Sequence, residues 1–317
     1  MIETFSDFSP VQQAGIIIFL LLAVASLAYA VLKRMFSGKD WSELGSRIRA
    51  WWVMAAVFLT AMSVNRRLSF VFFASLSFWA LKEYFTILVT RRADHRAIFW
   101  AFLTIPIQYY WIATQWYGMF LVFIPVYMFL FFPVRLVLEG EMPGFLAATS
   151  RIQWGIMAFV FGLGHIAYLS NLPPLPGTNV GGPALVLFLV LLTEMNDVFQ
   201  YVWGKTLGRH KILPSVSPKK TWEGFLGGVF STMVLGALLR FLTPFSLGRA
   251  LGMGAVIALA GFCGDVVMSA VKRDAGVKDF GQLIPGHGGM LDRVDSLCFS
   301  APIFFHIVAY YYYAHLL

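Results

Sequence analysis

The sequence predicts an all-α protein, a polytopic transmembrane helical bundle of about ten helices. Three observations carry this. First, the 317 residues are 59% hydrophobic and only 13% charged, whereas a soluble domain carries roughly a quarter charged residues. Second, the mean hydropathy is +0.73. Third, apolar segments recur at 11–32, 50–64, 68–90, 97–113, 115–137, 152–171, 183–203, 222–243, 249–271 and 297–316. Most are long enough for a hydrocarbon core of about 30 Å, and the second is short for it. A span in lipid must satisfy its own backbone hydrogen bonds, which a helix does within one segment. The period-2 alternation of barrel strands is absent.

Loop charge sets the expected orientation. Lys33 to Arg49 holds five basic residues. Arg91, Arg92 and Arg96 form a second cluster, Lys205 to Lys220 a third, and the stretch from Lys272 a fourth. With ten spans all four fall on one side, which positive-inside topology assigns to the cytoplasm, with both termini outside. Arg66 and Arg67 run against this pattern. The net charge of +8 therefore reads as topology and not as nucleic-acid binding. The acidic stretch from Met1 to Pro10 lacks a basic n-region, so the first apolar run is expected to be a retained helix. Cys263 and Cys298 offer neither a disulfide framework nor zinc spacing.

Helix by helix, the first six spans carry few polar residues, chiefly Lys82, Glu83 and His165. The seventh contains Glu194, Asn196 and Asp197, and a charge near a helix centre is expected to face a polar cavity or a partner. The loop that follows contains Gly204-Lys205-Thr206, but Phe199 stands where a P-loop needs glycine. Ser217-Pro-Lys219-Lys220-Thr221-Trp-Glu223 reads as a basic loop meeting a helix start, which offers free N–H groups to phosphate. In the eighth helix Gly224, Gly228, Thr232 and Gly236 recur every four residues, a small-residue stripe for close helix packing.

The ninth helix ends with Asp265, Ser269 and Lys272 on one face, with Arg273 beside them. Snorkelling accounts for the two cations but not for Asp265. Lys278 and Asp279 follow, then Gly286, His287, Gly288 and Gly289, where glycine permits close backbone approach to a ligand. Asp292 and Asp295, three apart, are expected to point the same way from a helical turn. Carboxylates are the ligands Mg²⁺ prefers, usually completed by water and substrate phosphate. Asp265, Asp292 and Asp295, with Lys272, Arg273, Lys278 and Arg293 nearby, form the set expected for metal-assisted phosphoryl transfer, with one or two Mg²⁺ ions. His287 reads as a phosphate or structural contact more than as a general base.

The 27 residues Ser269 to Asp295 closely resemble the signature of the phosphatidate cytidylyltransferases, also called CDP-diacylglycerol synthases. The matching positions are Ser269, Lys272-Arg273, Lys278-Asp279, Gly281, Ile284-Pro285, His287-Gly288-Gly289-Met290 and Asp292-Arg293-Val294-Asp295. Asp197, Tyr201, Gly204-Lys205 and Ser217 to Gly224 also resemble that family, whereas Val198, Phe199 and Gln200 are bulkier than its usual residues. The resemblance divides the chain into N-terminal transmembrane helices at 1–67, weakly family-like, and a cytidylyltransferase membrane domain at 68–317 with its catalytic part at 183–317.

The resemblance implies an integral-membrane nucleotidyltransferase of phospholipid biosynthesis. It would join CTP to phosphatidate, give CDP-diacylglycerol and pyrophosphate, and depend on Mg²⁺. Asp265, Asp292 and Asp295 would hold metal, and Lys272, Arg273, Lys278 and Arg293 would neutralise the phosphates. Lys205, Lys219 and Lys220 would guide CTP, and Asp197 would orient nucleotide or metal. Ser217, Thr221, Glu223, Ser269, Asp279, His287, Gly288 and Gly289 complete the expected substrate contacts. The expected setting is a bacterial inner membrane with the site facing the cytoplasm, and a second copy of the chain is a candidate partner. Two rival readings are the same chemistry on another lipid phosphate, and a non-catalytic lipid-binding or transport protein.

Overall fold

The computed structural model describes residues 8–36, 38, 40–88, 94–140, 142–284 and 288–314. Among them the chain forms ten long helices. These are α1 (Pro10–Met35), α2 (Ser42–Ser63), α3 (Arg66–Ile87), α4 (Asp94–Ala113), α5 (Tyr117–Val137), α6 (Phe145–Ser170), α7 (Gly182–Thr206), α8 (Trp222–Leu242), α9 (Leu247–Asp274) and α10 (Leu291–Tyr312). Eight of the ten are long and apolar enough to cross a membrane. The other two, α2 and α4, have the length but begin in polar turns, with Glu43, Arg47 and Arg49 in α2 and Asp94, His95 and Arg96 in α4. The protein is thus an all-α polytopic bundle. α2 starts well before the apolar run that announces it, because those polar first turns are helical too.

Local chemistry explains several ends. Ser9 caps α1 through a capping box with Gln12, each side chain accepting from the other's backbone N–H. Asn65 Oδ1 caps α3 by accepting from Leu68 N at 2.8 Å. α5 and α6 each widen into a π-turn, at Phe123–Met128 and Met157–Gly162. Side chains take up carbonyls in these stretches. Gln153 Nε2 donates to Ile124 O at 3.4 Å, and His165 Nδ1 lies 2.8 Å from Phe161 O.

Burial concentrates on α6, α7 and α10, whereas α1 buries only Ala14 and Gly15 and turns Leu20, Leu21, Val24 and Leu27 outward. Such an apolar exterior is what hydrocarbon requires. The small-residue stripe of α8 is its buried face: Gly224, Gly228, Thr232 and Gly236. A Cβ at Gly236 would lie 2.8 Å from Ala250 O of α9, and one at Gly228 2.4 Å from Gln200 Cγ of α7. α8 is therefore wedged against both neighbours, and α7, α8 and α9 hold a common end in register.

One element departs from the all-helical expectation. Between α7 and α8 the chain forms an antiparallel hairpin of β1 (Lys211–Leu213) and β2 (Ser217–Thr221), pairing Lys211 with Thr221 and Leu213 with Ser217. It lies at the bundle end where α7 and α9 finish and α8 and α10 begin.

Candidate functional site

Glu223 and Thr221 shape the hairpin. Glu223 Oε2 accepts from Arg209 N at 3.0 Å and His210 N at 3.2 Å, and His210 Nδ1 lies 2.6 Å from Oε1. Thr221 Oγ1 accepts from Gly224 N at 3.1 Å and so caps α8. These bonds swing β2 over the ends of α7 and α9. Between them opens a cavity of about 140 Å³, lined by Asp197, Gln200, Tyr201, Lys219, Lys220, Thr221, Gly224, Phe225 and Asp265. Ligand pockets commonly run roughly 300–1,000 Å³, so this one suits the phosphate end of a larger molecule lying partly outside it.

The charges inside are paired across elements. Lys220 Nζ makes an ion pair with Asp265 Oδ2 and lies 4.6 Å from the centre of the Phe262 ring. Ser269 Oγ donates to Asp265 Oδ1 at 3.3 Å, as the shared helical face predicts. Further along α9, Lys272 Nζ donates to Asp292 Oδ1 at 3.0 Å and sits 5.1 Å from the Phe280 ring centre. Arg273 stitches the hairpin to the end of α9, donating Nε to Val216 O at 3.3 Å and Nη1 to Val277 O at 3.4 Å.

Beneath the cavity, Ser296 Oγ donates to Asp197 Oδ2 at 3.2 Å, while Asp197 Oδ1 is buried with no partner. Asp295, 7% exposed, accepts from Ser296 N at 2.8 Å and from no other described residue. Asp197, Asp265 and Asp295 stand close enough for their charges to repel one another. Like charges gathered away from water are costly without a cation to offset them. α9 and α10 reach this closeness because Gly264 packs against the α10 backbone: a Cβ there would lie 2.9 Å from Asp295 O.

The loop leading into α10 is built on two carboxylates. Asp292 Oδ2 accepts from Phe280 N at 3.0 Å and Gly289 N at 3.1 Å, so both of its oxygens are engaged. On the other side Glu83 of α3 accepts from Met290 N at 3.0 Å and Leu291 N at 2.7 Å, the free N–H groups at the start of α10. Gly281 and Gly289 leave room for it: a Cβ at Gly289 would lie 2.5 Å from Glu83 Oε2, and one at Gly281 2.8 Å from Oε1. Gly288 has a φ of 83° and pairs with Ile284 across the loop.

Of the residues singled out from sequence, Asp197, Lys219, Lys220, Thr221 and Asp265 line the cavity, with Ser269 bonded to Asp265. Lys272, Asp292, Gly288 and Gly289 form the adjoining loop wall. Thr221 and Glu223 spend their bonds on the protein itself, as cap and loop tie. Lys205, Lys278 and Asp279 are exposed, Lys205 lying 5.7 Å from the Tyr201 ring centre. Ser217 opens β2, and Arg293 carries a buried Nε without a partner and feels the charge of Glu194. His287 lies outside the described residues. Among the described residues, no three acidic, His or Cys side chains stand at metal-holding spacing. Asp292 and Asp295 have different partners: Asp292 meets Lys272 and the loop backbone, whereas Asp295 accepts from Ser296 N and feels the charges of Asp265 and Asp197. Sequence reasoning gave no site role to Glu83 or to Gln200, whose Nε2 is buried without a partner beside the cavity.

Comparison with known proteins adds the following. A family described as the cytidylyltransferase family matches residues 45–311. The chain is 45% identical over 295 residues to the uncharacterized protein YnbB of Escherichia coli (strain K12), covering 92% of this chain and 96% of that one. It is 36% identical over 157 residues to the phosphatidate cytidylyltransferase of Staphylococcus aureus (strain COL), and 34% identical over 157 residues to that of Staphylococcus haemolyticus. These last two matches span 49% of this chain and 60% of each relative.

Proposed function

The chain belongs to the cytidylyltransferase family, and from that premise we propose that this membrane-spanning, CTP-dependent nucleotidyltransferase acts on phosphatidate, giving CDP-diacylglycerol and pyrophosphate. The observation that carries the reading is the cavity in which Lys219, Lys220 and Asp265 meet the half-buried Asp197 beneath a basic hairpin. Relatives named for that reaction, in two bacterial species, support the choice of lipid.

The chemistry asks for positioning and charge neutralisation. A phosphate oxygen of the lipid attacks the α-phosphorus of CTP. The bond from that phosphorus to the β,γ-bridge breaks, and pyrophosphate leaves with the electron pair. Lys219 and Lys220 are available to the triphosphate from the hairpin side. Lys272, held by Asp292 and Phe280, presents a fixed cation from α9. No proton need move if both phosphates enter ionised, so no general base is required.

The donor set suits a divalent cation, although the three carboxylates do not stand at metal-holding spacing in this structure and would have to draw together to hold one: Asp197 has a buried oxygen without a partner, and it, Asp265 and Asp295 repel one another, with Lys220 pairing Asp265. Mg²⁺ bound there would offset the charge of the phosphates. In this reading Asp265 and Asp295 keep the metal role expected from sequence and Asp197 joins them. Asp292, with both oxygens spent, shapes the loop. The membrane is the bacterial cytoplasmic membrane, with the basic hairpin end facing the cytoplasm, where positive-inside topology and the supply of CTP agree.

The test is purified protein with labelled CTP and phosphatidate, with and without Mg²⁺. Mg²⁺-dependent formation of CDP-diacylglycerol and pyrophosphate is expected. A second reading keeps the chemistry and changes the lipid. It is favoured by the bulky Gln200 at the cavity and by a match to the named phosphatidate enzymes that covers 49% of this chain. Pyrophosphate release with a polyprenyl phosphate but not with phosphatidate would select it. Tight lipid binding without release at any Mg²⁺ concentration would refute both.

A further inference from the structure

The end of the bundle opposite the hairpin has an unexpected charge balance. It carries Arg66, Arg67, Arg240 and Arg249 and, among the described residues, no Asp or Glu. Topology does not account for this, because positive charge is expected at the hairpin end. At this opposite end, between the α2–α3 turn, the α4–α5 turn and the α6–α7 loop, lies a cavity of about 420 Å³. Its polar wall is made by Ser63, Asn65, Arg66, Gln115 and Asn171.

The free hydrogen-bonding groups of that wall are mainly donors. Arg66 Nη2 donates to Ala113 O at 3.2 Å, and the guanidinium lies 5.4 Å from the Phe70 ring centre. Among the described residues its other N–H groups meet no acceptor and it has no carboxylate partner. Asn65 uses its Oδ1 on Leu68 N, which leaves its amide N–H groups free. Among the described residues the Gln115 side chain has no partner, and its backbone, at a φ of 56°, is the one left-handed non-glycine. Backbone strain of this kind collects where a ligand is held. Asn171, 8% exposed, donates Nδ2 to Ile112 O at 3.2 Å and leaves Oδ1 without a partner.

A guanidinium beside free amide N–H groups, with no carboxylate partner among the described residues, is the chemistry of phosphate recognition. We propose that this cavity is a second phosphate-binding site, separate from the nucleotide site, that takes the phosphate of a lipid headgroup or a free phosphate ion. Its volume lies in the range of small-ligand pockets. The polar groups are anchored at helix ends, so little ordering is needed on binding.

Full-length protein in detergent, analysed by native mass spectrometry with phosphatidylglycerol, phosphatidylcholine and inorganic phosphate, tests this. The intact protein is expected to retain one phosphatidylglycerol. Arg66→Gln should weaken that binding about tenfold, the loss of one charge-assisted contact. Gln115→Leu, which leaves every charge in place, should weaken it several-fold. Arg249→Gln, on the same end but outside the cavity, should not change it. Displacement by millimolar inorganic phosphate identifies a free-ion site, and resistance identifies a headgroup site; either supports the proposal. Equal binding by Arg66→Gln and Gln115→Leu proteins that melt like the parent overturns it. So does an equal loss in Arg249→Gln, which would mean unspecific attraction to a basic face.

Discussion

Glu83 gives the sharpest prediction, because sequence assigned it no role and the structure makes it the outer clamp of the α10 loop. Its two oxygens accept from Met290 N and Leu291 N at 3.0 and 2.7 Å. Hydrogen bonds to a charged group contribute about 1.5–3 kcal/mol each. Glu83 is half-buried, so a discounted sum of about 2–4 kcal/mol is appropriate for the pair. Glu83→Ala removes it and leaves two N–H groups at a helix start to find water. A shift of about 3 kcal/mol in the balance between closed and open loop is more than a hundredfold in population. The bundle should stay folded, because Leu81 and Tyr84 on either side still pack into the core. The loss should therefore fall on catalysis, through a loop that no longer presents Lys272 and Asp292 together. Measured as CTP-dependent pyrophosphate release, kcat/KM should fall 10- to 100-fold. Glu83→Gln, which keeps one oxygen able to accept, should recover much of it. Glu83→Ala protein with kcat/KM within twofold of the parent would refute the clamp.

Other substitutions check other parts of the site. Asp292→Asn should leave the protein folded and remove nearly all turnover, because only one of its two oxygens can still accept, so it cannot serve both Lys272 and the N–H groups of Phe280 and Gly289, and the charge facing Lys272 is lost; near-normal release in that variant would exclude the role given to Asp292. Gly289→Ala places a Cβ 2.5 Å from Glu83 Oε2 and should mimic Glu83→Ala, so the double variant should be little worse than either single one. Thr221→Ala removes the α8 cap and should cost about 1 kcal/mol of stability, read as a lowered melting temperature in detergent. Asp197→Asn should raise the Mg²⁺ concentration needed for half-maximal activity several-fold, whereas a purely structural Asp197 would leave that concentration unchanged.

What the sequence made legible follows from what each signal depends on. The ten helices were readable, eight of them long and apolar enough to span, because the bilayer acts on every residue of a span alike, so hydropathy needs no knowledge of neighbours. Their ends were less so: the polar first turns of α2 are helical through local bonding that hydropathy does not register. The relation of Asp265 to Ser269 was readable because it lies within one unbroken helix. The separate partners of Asp292 and Asp295 were not, because they come from distant parts of the chain: Asp292 meets Lys272 and the loop backbone, while Asp295 feels the charges of Asp265 and Asp197. The hairpin escaped notice for a related reason: Ser217-Pro-Lys-Lys-Thr has no apolar alternation, and its strand geometry is imposed by Glu223 and Thr221 after the helices have met. Glu83 lies 207 residues from Met290, so no local pattern could connect them. Yet the two carboxylates divide one task. Asp292 grips the loop from within α10 and Glu83 from α3, and Gly289 must be bare because it passes between them. The signature stretch is thus incomplete as a unit of structure: one of the groups that hold it in shape comes from α3, far upstream of it.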